Sequence, residues 1–209
     1  LSVLMLAGIK DILIITNPKE ETNFKKAIGN GSHLGIKIRY LVQKKPKGIP
    51  EAFKIGAKFI LNDNVALILG DNFFYGQSLS KTLLTAKQFV GGCSIFLKTV
   101  NKPENYGVAV LRKSKIYKIV EKPKKKISSE AITGLYFFDK DVVKLSLKLK
   151  PSKRKETEII DLINLYKKKG NLNFIKIGRG AIWSDVGKIE DFTNISNFVY
   201  SIENVQGIK

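Results

Sequence analysis

Two aspartates end apolar runs. Asp71 follows Val65 to Leu69 through Gly70, and Asp185 follows Ala181-Ile182-Trp183-Ser184. In open α/β sheets, ligands bind beyond the carboxyl ends of strands. A carboxylate there, with only glycine before it, can hold Mg²⁺ against a phosphate; Mg²⁺ takes one or two protein carboxylates and completes its shell with water and substrate oxygens. Gly70-Asp71-Asn72 reads equally as a strand-end turn, and Asp185 equally as the cap of a following helix. Glu121-Lys122-Pro123 ends a third run, where Lys122 suits a phosphate and Glu121 a sugar hydroxyl, or where the three form an exposed turn. Gln43 offers a donor and an acceptor together, which suits a pyrimidine edge. Gly48 would let a base lie against backbone, and the same stretch reads otherwise as a plain loop.

Other chemistries lack their parts. His33 is the one histidine and Cys93 the one cysteine. A histidine-rich zinc site lacks its parts, a Ser-His-Asp triad would have to be built on His33 alone, and Cys93 sits in an apolar run that reads as core. Gly29-Asn30-Gly31-Ser32-His33-Leu34-Gly35 has the wrong spacing for a dinucleotide fingerprint and follows a helix, so it reads as a turn.

The elements that must position these residues alternate at first. Strands are expected at Asp11–Thr16, Lys37–Val42 and Val65–Leu69, and helices at Pro18–Ile28, Pro50–Ile60 and Leu79–Phe89. That rhythm implies a mostly parallel central sheet with helices on both faces. The second half is richer in strands: Cys93–Thr99, Gly107–Leu111, Ile116–Glu121, Ile132–Phe138, Leu172–Ile177 and Ala181–Asp185, with helices at Val142–Leu149, Glu158–Lys168 and Glu190–Val199. The expectation over residues 1–209 is one α/β domain carrying a β-rich insertion.

Lysine and arginine number 37 against 18 acidic residues. Such a balance suits a polyanion partner or a lysine-coated ordinary surface. Arginine, the better reader of bases and phosphates, occurs only at Arg39, Arg112, Arg154 and Arg179, which argues against nucleic acid. No apolar run is long enough to span a bilayer, and a single cysteine fits a reducing cytosol. Leu1 to Ala7 reads as the end of a helix capped by Gly8, so further chain is expected upstream.

In order, Gln43…Gly48, Leu69-Gly70-Asp71-Asn72, Tyr106-Gly107-Val108, Val120-Glu121-Lys122-Pro123, Thr133-Gly134-Leu135-Tyr136 and Trp183-Ser184-Asp185-Val186-Gly187 resemble the bacterial glucose-1-phosphate thymidylyltransferases. The resemblance covers the whole chain. It implies a Rossmann-like nucleotidyltransferase fold with a β-rich sugar-binding insertion, and the joining of dTTP to glucose 1-phosphate to give dTDP-glucose and pyrophosphate, toward deoxysugars such as rhamnose. It implies Mg²⁺ on Asp71 and Asp185, thymine near Gln43 and Gly48, and a sugar-phosphate pocket of Asn72, Tyr106, Gly107, Glu121, Lys122 and Ile132. It also implies a cytoplasmic homo-oligomer, a tetramer at full length. Departures are plain: the Gly-rich loop that ends in Thr-Arg-Leu in that family has no match here, Pro50-Glu51 stands for Ala-Gln, and Val186 for threonine. These 209 residues alone are therefore expected to turn over little substrate. Uridylyl or cytidylyl transfer, and non-catalytic binding of a sugar nucleotide, remain alternatives.

Overall fold

The computed structural model describes residues 1–89 and 91–207. In chain order the elements are α1 (Ser2–Leu6), β1 (Asp11–Thr16), α2 (Glu21–Ile28), β2 (Lys37–Val42), α3 (Glu51–Ile55), α4 (Ala57–Ile60), β3 (Val65–Ile68), β4 (Asn72–Gly76) and α5 (Leu79–Gln88). There follow β5 (Cys93–Thr99), β6 (Gly107–Arg112), β7 (Lys115–Glu121), β8 (Glu130–Phe138), α6 (Val142–Ser146), α7 (Ile159–Lys168), β9 (Leu172–Lys176), β10 (Ala181–Asp185) and α8 (Ile189–Gln206).

The sheet is mixed, which corrects the expectation of a mostly parallel one. Among the described residues only β1–β2 and β5–β9 pair in parallel. β8 runs antiparallel to β3, β5 and β6, and β10 runs antiparallel to β4. The cause is β8, a nine-residue strand whose residues from Ala131 on are all buried. It takes β5 along one side and divides the other, pairing β6 at Glu130 and Ala131 and β3 at Leu135 to Phe138. Period and apolarity report that a strand is buried, but not the direction of its neighbours.

Three helical expectations also shift. The helix expected from Pro18 starts at Glu21 instead, because Asn17 Oδ1 accepts from the N–H groups of Lys19 and Glu20 in a local turn. The Pro50–Ile60 helix breaks at Gly56 into α3 and α4. Glu190–Val199 extends into α8, whose Phe198 ring meets Phe73 and Tyr75 of β4 edge-on.

The main core lies between β8, β5 and the helices α3, α6 and α7, where Phe53, Ile95, Leu97, Tyr136, Phe138, Leu162 and Tyr166 are buried together. A second core seats α1 and α5 on the other face through Val3, Leu83, Phe96 and Phe137. Helices thus cover both faces, as read from the sequence.

β1 and β3 each have a partner on one edge only among the described residues. A cavity of about 610 Å³ runs between them, lined by Ile12, Leu13 and Ile15 of β1 and by all of β3, with Phe53 on one wall and Ala86 on the other. Its presence explains why Val65 to Ile68, an entirely apolar strand, is only half-buried. Amides on an unpaired edge open with little cost. Those of β3 and β1 that face the cavity are expected to exchange with solvent about tenfold or more faster than those of β5 and β8, measured by hydrogen–deuterium exchange. Equal protection would contradict the open edges.

Candidate active site

The site stands where β8's divided edge leaves a gap. Between the β6 and β3 pairings, Ile132 to Gly134 have no strand beside them on that edge among the described residues. The gap is filled locally instead. Leu69 N–H donates to the Gly134 carbonyl at 2.9 Å. Gly134 N–H donates to Asn72 Oδ1 at 2.8 Å. A side chain thus closes a ladder that a strand would otherwise close.

Asn72 opens β4, and the β4–β10 register sets it opposite Asp185. The Val186 N–H donates to the Asp71 carbonyl at 2.8 Å, which ties the two aspartate-bearing segments together. The Asn72 amide then links the acids: Nδ2 donates to Asp71 Oδ1 at 2.8 Å and to Asp185 Oδ1 at 3.4 Å. Trp183 Nε1–H donates to Asn72 Oδ1 at 2.7 Å. Gly134 has to be glycine, since a Cβ there would come within 2.6 Å of the Asn72 side chain.

A pocket of about 150 Å³ opens beside this knot, lined by Asn72, Tyr106, Gly107, Glu121, Lys122, Ile132 and Asp185 among others. All seven were singled out in the sequence. Asp71 adjoins the pocket through its bond to Asn72. The β6–β7 register puts Gly107 opposite Glu121, and a Cβ on Gly107 would come within 2.7 Å of Ile160 and 3.2 Å of the Glu121 carboxylate. Glycine therefore lets Glu121 lie close. Lys122 has φ +39°, a left-handed conformation held by its N–H bond to the Tyr106 carbonyl at 3.0 Å. Such a conformation costs roughly 1–2 kcal/mol in a residue with a side chain. Strain of that kind persists where surrounding structure enforces it, and here it turns Lys122 at the mouth of the pocket.

Gln43 and Gly48 do not line this pocket. Gln43 follows β2, its N–H bonded to the Thr16 carbonyl at 2.8 Å, and its Nε2 is buried without a partner. Gly48 has φ +95°, and the Thr157 carbonyl occupies the place its Cβ would take. Its open side is thus taken by backbone of the same chain. The neighbouring Ile49 and Ile159 do reach the pocket wall.

The electrostatics are those of crowded acids. Burial pushes Asp185 above the ordinary carboxylate range, Asp71 and Asp191 push it further, and Lys122 pulls it back. Burial also raises Glu121; Lys122 and Arg154 oppose the rise, while Glu158 and Asp161 add to it. Burial and the charges of Asp185 and Asp191 raise the Tyr106 phenol. Among the described residues no three acidic, imidazole or thiol groups gather into a metal cage. The pair Asp71 and Asp185, two hard oxygen donors, nonetheless fits Mg²⁺, which asks for no more than that from a protein when phosphates supply the rest.

Trp183, Gly134 and Arg154 went unassigned in the sequence reading. Trp183 and Gly134 were inside recognised motifs, but their partner Asn72 is distant in sequence, so only the fold reveals the bonds. Arg154 was one of four scattered arginines; nothing local marks its nearness to Glu121.

The sequence profile of the family described as nucleotidyl transferase matches residues 1–201. This chain belongs to that family. Glucose-1-phosphate thymidylyltransferase of Neisseria meningitidis serogroup A is 46% identical over 209 residues, covering all of this chain and 73% of that protein. The enzyme of the same name from Mycolicibacterium smegmatis is 41% identical over 210 residues, again covering all of this chain and 73% of the relative. A Bacillus anthracis crystal structure, described as a glucose-1-phosphate thymidylyltransferase in complex with a sucrose, superposes with TM-score 0.85 at 34% identity, covering 94% of this chain and 78% of that one. A UDP-glucose pyrophosphorylase complexed with UDP-glucose shares the fold at TM-score 0.77 and 22% identity, over 96% of this chain and 84% of that one. The nucleotidyl transferase fold accordingly carries a curled, mixed sheet.

Two outcomes follow for this nucleotidyl transferase. Gly134→Ala is expected to cost about 1–3 kcal/mol of stability, because the new methyl meets a fully bonded amide that cannot move aside; chemical denaturation measures it, and an unchanged midpoint would contradict the packing. For Asp185, the folded chain holds a proton at pH values where the unfolded chain has lost it. Its contribution to stability is therefore best at low pH and falls as pH rises through the carboxylate range. Asp185→Asn is expected to melt higher than the parent at pH 7, with the difference vanishing toward about pH 3. A lower melting point for the variant at pH 7 would overturn that sign.

Proposed function

We propose that this chain is a glucose-1-phosphate thymidylyltransferase, transferring a deoxythymidylyl group from dTTP to glucose 1-phosphate with release of pyrophosphate. The observation that carries the reading is the pocket in which Glu121, Lys122, Gly107 and Asn72 meet Asp185, with Asp71 bonded to Asn72 beside it, on a chain 46% identical to an enzyme of that name. The sugar-phosphate oxygen attacks the α-phosphorus; that P–O bond forms as the bond to the bridging oxygen of the leaving pyrophosphate breaks. No protein nucleophile is needed, so catalysis is alignment and charge neutralisation.

In this reading the roles divide by chemistry. Asp71 and Asp185 would hold Mg²⁺, which when bound neutralises phosphate charge. Lys122 meets the sugar phosphate as a cation on a strained, fixed backbone. Glu121 accepts from a sugar hydroxyl, with Gly107 leaving it room. Ile132 and Tyr106 supply apolar walls beside Asn72. Gln43 forms the thymine side, which its unpartnered Nε2 supports, being a buried donor in want of an acceptor; Gly48 serves that side indirectly, by admitting the Thr157 backbone against its own. A cytosolic tetramer completes the proposal.

Calorimetry of dTDP-glucose binding to the chain tests it, with dTTP, UTP and CTP as competitors. Tighter competition by dTTP is expected, and Lys122→Ala should weaken dTDP-glucose by about tenfold or more, the loss of a charge-assisted phosphate bond. A preference for UTP would move the chain to the uridylyl branch. Pyrophosphate release from dTTP and glucose 1-phosphate is expected to be slight for these 209 residues, which lack the Thr-Arg-Leu loop; full turnover would show that loop dispensable.

A further inference from the structure

The Asn72 amide has no hydrogen-bonding capacity left. Its oxygen accepts from Gly134 N–H at 2.8 Å and from Trp183 Nε1–H at 2.7 Å. Its nitrogen donates to Asp71 Oδ1 at 2.8 Å and Asp185 Oδ1 at 3.4 Å. Flipping the amide would set its oxygen against two carboxylates and its NH₂ against two N–H donors. Every bond would become a repulsion, so the network fixes one orientation.

We propose that Trp183 is a positioning residue that acts through Asn72 to set how Asp71 and Asp185 hold a divalent cation; this rests on the reading of those two acids as cation ligands. The argument is geometric. Both bonds from Asn72 go to the Oδ1 atoms, and among the described residues neither Oδ2 has a protein hydrogen-bond partner. Each acid is therefore anchored by one oxygen and left free by the other. Asp71 and Asp185 repel each other, and two N–H dipoles between them supply the partial positive charge that keeps them near. The Gly134 N–H alone would let the amide turn about its own axis. A second donor from another direction removes that freedom, and Trp183 is that donor. Packing accounts for the indole ring, which stands edge-on to Tyr106 at 5.0 Å between centroids. It does not account for the N–H being aimed at Asn72, which phenylalanine could not reproduce.

Trp183 is the one tryptophan in the chain, so it gives a single indole N–H signal. In ¹H–¹⁵N spectra of the parent that signal is expected to be protected from solvent exchange and to move and lose protection in Asn72→Ala. Mn²⁺ binding, followed by electron paramagnetic resonance, is expected to weaken about tenfold or more in Trp183→Phe, as for other residues that orient metal ligands. The loss should not add to that of Asn72→Ala in the double variant, because both remove one device. A parent that binds Mn²⁺ and a Trp183→Phe chain that binds as tightly would overturn this inference alone, as would fully additive losses. A parent that takes no Mn²⁺ overturns the cation reading and this inference together. Should Trp183→Phe fail to fold, the indole signal decides: one unmoved by Asn72→Ala overturns the proposal.

Discussion

One side chain does the work of a missing strand. Where β6 and β3 part along β8, a buried backbone edge would be left with unsatisfied groups, each costing about 1–3 kcal/mol. Leu69 N–H and the Asn72 amide take that place. The amide then has a nitrogen left over, and the nitrogen faces Asp71 and Asp185. A requirement of the sheet and a requirement of the site are met by the same group. The 150 Å³ pocket opens at this point along β8, where neither β6 nor β3 lies beside it.

That economy has an electrostatic consequence. The chain carries a net charge of +19, yet its pocket concentrates acids whose protonation burial and mutual repulsion favour. None of Asp71, Glu121 and Asp185 has a salt-bridge partner; the ion pairs among the described residues lie elsewhere, as at Lys25–Glu21 and Lys176–Glu130. The lysine excess therefore does not reach inward to neutralise these acids beyond what Lys122 and Arg154 provide. Acids gathered with an unspent negative field suit a site whose occupant brings positive charge and phosphate, and they cost the protein stability, as functional sites commonly do.

The charged residues of the site were legible in sequence because they end apolar runs, where α/β sheets present side chains, while Asn72, Tyr106, Gly107 and Ile132 came only with the family resemblance. Asp71, Glu121, Lys122 and Asp185 were found by that rule. What escaped was pairing. β4 was hidden because Asn72-Phe73-Phe74-Tyr75-Gly76 follows a turn sequence and has no clean alternation; it becomes a strand only because β10 lies beside it. The direction of β8 escaped for the same reason, since burial on both faces looks alike in parallel and antiparallel sheets. Trp183 and Gly134 could be seen but not interpreted, for their role is a bond to a residue about 110 and 60 positions away. Local chemistry predicts which residues matter; long-range hydrogen bonds decide what they do.

The two halves of the site are also unequally supported. In the proposed reading the sugar-phosphate side would rest on β6, β7 and β8, whose flanks are packed by the main core. Gln43 and Gly48 rest on the β1–β2 ribbon and on the Thr157 backbone, next to the 610 Å³ cavity that separates β1 from β3. A rigid wall can impose distances on a ligand, whereas a ribbon paired on one edge takes up the shape its partner imposes. Discrimination among sugars should accordingly be built into this fold more firmly than discrimination among bases.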